Sequence, residues 1–497
     1  MHARRPARSA VLAALGPASA RAVLLLAAPA LGLGLPAAEA SAADPSAGGH
    51  ALPAAWSLLP FAALLLAIAG GPVLAPRWWH HWYPHVAIGL GAVTLAYYLI
   101  GLGDLVPMAH AGLEYLSFIT LIGALYLCSG GIVVGLHIGG TPLTNVLLLA
   151  GGAVLSNVVG TTGASLLLIR PFMRVNRGRL RPYHLVFFIF LVANVGGALT
   201  PIGDPPLLLG YLRGIGFLRF LELDILPWVT AAGLLLAIFW AIDRRNPAMA
   251  GAHVEAGHPV GGGRRGRVLW VSGWFNVVLM ALTVGVLFLD PGRLPWVPGI
   301  PFHGQRVSFA RELLLCAIGL AAWRWSRREH LQANGFTFGP LREVALLFIG
   351  IFATMVPALE FIRHEAHAGT IAGLPLTPGV YYFGTGICSA VLDNAPTFVA
   401  FLAGLEGQFG LSAAELGHAT DPLVAHSLGA AAVASVFWGA MTYIGNGPNF
   451  MVKAIAESVR DERGEPAVAV PGFFPYLRYS LAILLPVLVV VWAVFFR

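Results

Sequence analysis

Charge is what this chain has least of. Only 11% of its 497 residues are Asp, Glu, Lys or Arg, against roughly 25% in a soluble domain. Too few charged groups remain to cover a water-exposed surface of that size, so a soluble fold is excluded. Cysteine is scarce as well. Cys128, Cys316 and Cys388 are the three present, each inside an apolar stretch. They form no disulfide framework or paired metal motif and read as small buried hydrophobes. No nucleophile, metal or phosphate-loop constellation appears; "GIGFLRFLELD" (Gly214–Asp224) is not a Gly-rich phosphate loop. The chain is therefore not read as an enzyme, and no cofactor is expected.

The hydrophobic share is 57%, with a mean hydropathy of +0.76. Several apolar runs of about 20 residues are long enough for membrane-crossing helices, and they lack the short alternating pattern of barrel strands. The fold class is an all-α polytopic membrane protein. The formal charge of +7 sits in loops between apolar runs, as the positive-inside rule describes, and not in a nucleic-acid-binding patch. Membrane lipid is the surrounding partner. Arg4, Arg5, Arg8 and Arg21 flank the apolar run Ala22–Leu33, and Ala38-Glu39-Ala40 offers a cleavage site. Residues 1–40 thus read as a signal peptide, with an uncleaved first helix as the alternative, and 41–57 as a periplasmic linker. The location implied is a bacterial inner membrane.

Twelve apolar elements follow, at 58–75, 86–103, 113–137, 143–169, 184–212 and 226–242, then 268–289, 307–325, 342–360, 376–403, 424–455 and 473–496. Basic residues concentrate in "RPFMRVNRGRLRP" (Arg170–Pro182), in 243–267 and in 324–342, which places all three in the cytoplasm. Three crossings from the outside bring the chain in before 143–169, and Arg170 requires it to be inside afterwards. That element is therefore a re-entrant hairpin with its tip in "LSNVVGTTGAS" (Leu155–Ser165). By the same count 376–403 is a hairpin from outside, its tip "VLDNAPTF" (Val391–Phe398). Each half then has five spans and one hairpin, and the second half (268–497) is inverted relative to the first (58–242), with 243–267 as a cytoplasmic linker. Inverted repeats of this kind build many secondary transporters.

"GALTPIGDPPLLL" (Gly197–Leu209) and "GAMTYIGNGPNFM" (Gly439–Met451) agree at six of thirteen positions. Gly and Pro break helices, and irregular backbone survives in lipid only where it meets protein or a watery cavity. Each phrase is read as an unwound stretch between half-helices, one per half, around a shared site. Thr200, Gly203 and Asp204 come from the first; Thr442, Gly445 and Asn446 from the second. The hairpin tips add Ser156, Asn157, Thr161 and Thr162, and Asp393, Asn394 and Thr397, with Ser156-Asn157 taken as the counterpart of Asp393-Asn394. Ionisable groups at membrane depth are costly and by default functional. Asp204 and Asp393 can each hold either a proton or a bare cation, so Asp393, Asn394, Asn157 and Asp204 form the candidate cation set. Asp104, Glu114, Glu222, Asp224, Glu360 and Glu365 lie near predicted span ends and read as solvated, and His184 and His426 as interfacial.

At "GGALTPIGDPP" (Gly196–Pro206) and "LDNAPT" (Leu392–Thr397) the chain resembles the ion transporter superfamily. This includes NhaD-type sodium/proton antiporters, arsenite permeases and citrate or dicarboxylate carriers. The layout over residues 55–497 resembles a bacterial branch described as citrate transporters or sodium:proton antiporters. The resemblance implies two hairpins meeting two unwound helices at mid-membrane, an elevator-like movement and a homodimer. Dicarboxylate symporters of the superfamily repeat Ser-Asn-Thr at both tips, whereas here Asp393-Asn394 stands at the second. Two bare acids repel a di- or trianion. The expectation is therefore a Na⁺ or Li⁺/H⁺ antiporter, with Na⁺ and H⁺ as cargo, and a sodium- or proton-coupled citrate or dicarboxylate carrier as the alternative.

Overall fold

The computed structural model describes residues 52–136, 138–246, 269–291, 294–302, 305–371, 373–459 and 467–497. The expected signal peptide, most of the linker after it and most of the 243–267 loop lie outside the described residues.

The first half runs α1 (Leu59–Leu74), α2 (Pro76–Ala96, prolonged by a π-helical turn Tyr97–Leu102), α3 (Val106–Gly130), strand β1 (Val133–Leu136), α4 (Pro142–Val175), α5 (Pro182–Leu191), α6 (Pro205–Leu212) and α7 (Arg219–Asp243). The second half begins with β2 (Leu269–Ser272), α8 (Trp274–Leu287), a ribbon of β3 (Ile300–Phe302) and β4 (Gln305–Val307), then α9 (Ala310–Trp325), α10 (Arg328–Ala333) and α11 (Gly339–Ala366). A small ribbon, β5 (Thr370–Ile371) and β6 (Leu374–Pro375), leads into α12 (Pro378–Val391), α13 (Asn394–Phe409), α14 (Ala413–His418) and α15 (Pro422–Phe437). The chain ends with α16 (Gly447–Ser458), α17 (Phe473–Tyr479) and α18 (Leu485–Phe495). Proline sits in the first turn of α4, α6, α12, α15 and α16, where its missing N–H costs nothing.

Eight helical stretches among the described residues are long and apolar enough to cross a bilayer. One of them, α4, instead turns back on itself. A straight helix of its 34 residues would run about 50 Å, well beyond a hydrocarbon core of about 30 Å. Gly160, at φ 78°, breaks it, and its ends meet: Asn145 Nδ2 donates to Asn176 Oδ1 at 2.8 Å and Asn176 Nδ2 to Asn145 Oδ1 at 2.7 Å. α12 and α13 form the second hairpin, closed at its base by Tyr381 Oη to Gln408 Oε1 at 2.8 Å and Gln408 Nε2 to the Leu376 carbonyl at 2.9 Å. Both hairpins start on a Thr-Pro pair, with Thr141 and Thr377 each accepting from a backbone N–H three residues on.

Contacts between helices establish the inversion. α3 and α11 run antiparallel, because Tyr115 bonds the Ala345 carbonyl, Phe118 stacks on Phe348 and Tyr126 bonds the Thr337 carbonyl. α2 runs parallel to α11: Gly91 meets Gly350 and Ala353, and Tyr98 Oη donates to Glu360 at 3.2 Å. α9 runs parallel to α3, with Ser117 on Glu312 and Leu127 over Gly319. The third spans of the halves are thus opposed, and so are the second spans. Small residues permit these approaches. A methyl group on Gly350 would come 2.5 Å from the Ala87 carbonyl oxygen. Six spans (α1, α2, α3, α8, α9, α11) form one group; the hairpins, the broken helices and α7, α17 and α18 form the site group.

The outside is apolar, with Leu66, Ile100, Leu147, Leu282, Leu320 and Val494 exposed, and Trp78, Trp240, Trp274 and Trp325 also exposed, as lipid and its interfaces demand. The described parts of the basic segments share one face. Arg179 bonds Asp243, and Arg170 bonds the Asn334 carbonyl.

Several expectations are corrected. Residues 133–136 are not the end of a span: they leave the helix and pair antiparallel with 269–272. Cys316 is exposed, unlike Cys128 and Cys388, since it lies on the outer surface of α9. His184 is fully buried and its Nε2 faces Asp243 Oδ1 at 3.2 Å, because the chain end of α7 folds over the start of α5. Asp224 is also fully buried, since α7 starts at Arg219, earlier than the apolar run suggests.

Candidate functional site

The two broken helices and two hairpin tips converge on one carboxylate. Asp204 occupies the residue before α6, the capping position, but makes no capping bond there. Its first turn is Pro205-Pro206, which leaves two helix-start N–H donors missing. The carboxylate turns instead to the tips. Thr161 Oγ1, from the first hairpin, donates to Oδ1 at 2.6 Å. Asn394 Nδ2, from the second hairpin, donates to Oδ2 at 3.0 Å. Asn446 Nδ2, from the second break, lies 3.2 and 3.4 Å from the two oxygens. The site is shut off from solvent: Asp204 is 1% exposed. No Arg, Lys or His pairs with it among the described residues.

The repeated phrase builds this geometry residue by residue. A methyl group on Gly197 would come 2.6 Å from Thr161 Cγ2, and one on Gly439 would come 2.2 Å from Asn394 Oδ1. Each glycine therefore makes room for a tip residue. Thr200 Oγ1 donates to the Asn157 carbonyl at 2.6 Å, and Thr442 Oγ1 to the Ala390 carbonyl at 2.6 Å. Gly203 and Gly445 close over Gly197 and Gly439: added methyls would lie 2.0 and 2.6 Å from their carbonyl oxygens. The Gly203 carbonyl accepts from Thr161 N at 2.8 Å.

These bonds also correct the pairing of the tips. Ser156 Oγ reaches the Val192 carbonyl at 2.7 Å, and Ser389 Oγ reaches the Ser435 carbonyl at 2.6 Å. Ser156 therefore matches Ser389, and Thr161 matches Asn394, one helical turn away from the sequence alignment. The shared Asn had aligned them wrongly, because the first tip continues helically to Gly160 while the second ends at Val391.

The remaining candidates occupy supporting positions. Asn157 accepts from Leu199 N at 2.9 Å and so anchors the first break. Asp393, half-buried, accepts from Ala395 N at 3.0 Å and caps α13. Thr397 Oγ1 donates back to the Asp393 carbonyl at 2.8 Å. Thr162 makes none of the bonds to Asp204. Two residues escaped the sequence reading. Asn194 Nδ2 donates to Asn449 Oδ1 at 2.7 Å, and Asn446 Nδ2 sits 3.1 Å from Asn194 Oδ1. Asn449 in turn donates to the Gly439 and Thr442 carbonyls, both at 2.9 Å. Both are fully buried, and the lone Asn of 184–212 and the second Asn of 424–455 were the signals to follow.

A family model described as "Putative citrate transport" matches residues 49–496. The chain belongs to this family. It is a secondary transporter and a multi-pass membrane protein. No match was found among curated proteins. The family's description names citrate, not a cation exchanged for protons. The donor set around Asp204 in this member is nonetheless wholly neutral: one hydroxyl and two amides.

Proposed function

We propose that the protein exchanges a small monovalent cation, Na⁺ or Li⁺, for protons, with Asp204 holding one or the other in turn. The carrying observation is the buried Asp204 carboxylate at the meeting point of both halves, with no basic partner among the described residues. Acceptors crowd the place: the Asn446 amide nitrogen, with two hydrogens, faces the Ala193 carbonyl, Asn194 Oδ1 and both Asp204 oxygens. Such an excess of oxygen suits a cation. The Asn394 amide oxygen and the Thr161 hydroxyl can turn to it when the proton leaves. A polyanion would meet Asp204 and Asp393 and a helix start lacking two N–H donors. Because the halves are related by an inverted two-fold repeat, an elevator-like shift of the site group past the six-span group opens the site to one side and then to the other.

In everted vesicles carrying a pH gradient read by a dye, added Na⁺ or Li⁺ dissipates the gradient, and Asp204→Asn abolishes that response. Undiminished exchange in this variant would overturn the scheme. The second reading, sodium- or proton-coupled uptake of citrate or a dicarboxylate, is favoured by the family description. In it Asp204 holds the coupling ion, and Asn157, Thr162, Asn394 and Thr397 face the substrate. Labelled citrate and succinate uptake into proteoliposomes under an imposed Na⁺ or pH gradient separates the two.

A further inference from the structure

Cation exchange at Asp204 leaves a second intramembrane carboxylate unused. Asp224, in the second turn of α7, has no exposed surface. Neither of its oxygens has a hydrogen-bond partner among the described residues. It faces the gap left by a missing side chain: a methyl on Gly429 of α15 would lie 3.6 Å from Asp224 Oδ1, 3.5 Å from Leu223 Cβ and 3.6 Å from Phe496 Cε1.

The charged and titratable groups nearby are engaged elsewhere. On α7, Arg219 and Glu222 pair with each other at 3.2 Å. On α15, His426 is exposed, its Nδ1 2.6 Å from the Pro422 carbonyl oxygen. On α12, Tyr382 stacks on Phe496 but donates its hydroxyl to the Leu488 carbonyl at 2.9 Å. α18 carries no ionisable side chain, and Arg497 beyond it is exposed.

An anion without water, hydrogen bonds or a counter-charge is not tolerated in such surroundings; the neutral acid is. We propose that Asp224 is a second proton-binding site, separate from Asp204 and carried by the same site group. Its position fits a role in the cycle. Trp228, one turn further along α7, donates Nε1 to the Gly196 carbonyl of the first break at 3.3 Å. Asp224 therefore lies one turn from that break, toward the end of the helix away from Asp243 and the arginine-rich face. It takes up its proton from water on that side when the site group exposes it there. The proton site does not depend on which solute is carried, whereas its contribution to the coupling ratio rests on the exchange proposed above.

Infrared difference spectra, acid minus alkaline, of the purified full-length protein in lipid test the proposal. Among the carbonyl stretches of protonated carboxylic acids, one component is expected to persist in Asp204→Asn and to be lost from the native set in Asp224→Asn, where the component of Asp204 remains. Asn is the shape of the neutral acid, so this variant is expected to keep the native thermal midpoint. A spectrum identical to the native one in Asp224→Asn would overturn the proposal. In proteoliposomes, the proton-to-cation ratio from reversal potentials is expected to fall by one proton per cation in Asp224→Asn; an unchanged ratio would remove Asp224 from the cycle. The infrared result is readable whether or not Na⁺ exchange is found, so failure of one proposal is distinguishable from failure of the other.

Discussion

Asp204 and Asp393 both precede a half-helix, yet only Asp393 uses its carboxylate as a cap. The difference follows from the next residues. Ala395 offers an N–H two positions on, whereas Pro205 and Pro206 offer none, so Asp204 is free to face the tips. Asp393→Ala is expected to lower stability by about 1 kcal/mol through the lost cap, read as a fall in thermal midpoint. Asp393→Asn keeps a capping oxygen and is expected to unfold like the native protein. Any fall in its exchange rate then reports the lost charge. Asn449→Ala strips partners from Asn194 and from two buried carbonyls, and is expected to cost roughly 1–3 kcal/mol. Asp204, Thr161, Asn394 and Asn446 were legible as polar residues inside apolar runs with matched phrases. Asn194 and Asn449 have no counterpart in the other half, so phrase matching passed over them.

At the scale of elements, the hairpins and broken helices were visible from Gly and Pro content and from the sign of the flanking loops. Their mutual register was not, because a helical tip hides its turn: Gly160 sits inside an otherwise helical run. Close approach of tip and break makes Gly439 irreplaceable. Gly439→Ala is expected to push Asn394 off Asp204, costing about 1–3 kcal/mol and most of the transport. Gly447, where an added methyl meets nothing within 4 Å, is the control. Gly447→Ala is expected to be neutral or to stabilise by about 0.4–1 kcal/mol, measured on the same unfolding assay.

For the whole molecule, the inverted arrangement predicts sidedness. Single cysteines at Gly139 and Arg177, flanking the first hairpin and both exposed, are expected to label from the arginine-rich face. Cysteines at Leu374 and His418, beside the second hairpin and exposed, should label from the other. Labelling of both pairs from one side would refute the inversion. On the arginine-rich face Asp243 ties the base of the first hairpin to α7, accepting from Arg179, Asn145 and Tyr183. Asp243→Ala strands a buried guanidinium and is expected to destabilise by about 3–5 kcal/mol.

Composition, apolar runs, loop charge and the Gly-Pro interruptions determined by themselves that this is a helical membrane protein with two broken helices. Each of those properties acts over a few residues, through hydration and backbone preference. Which side chains meet was decided only by the tertiary structure. Asp204 finds Thr161, Asn394 and Asn446 at 43, 190 and 242 residues' distance along the chain, and Asp224 loses its water, because two oppositely directed halves close on one another.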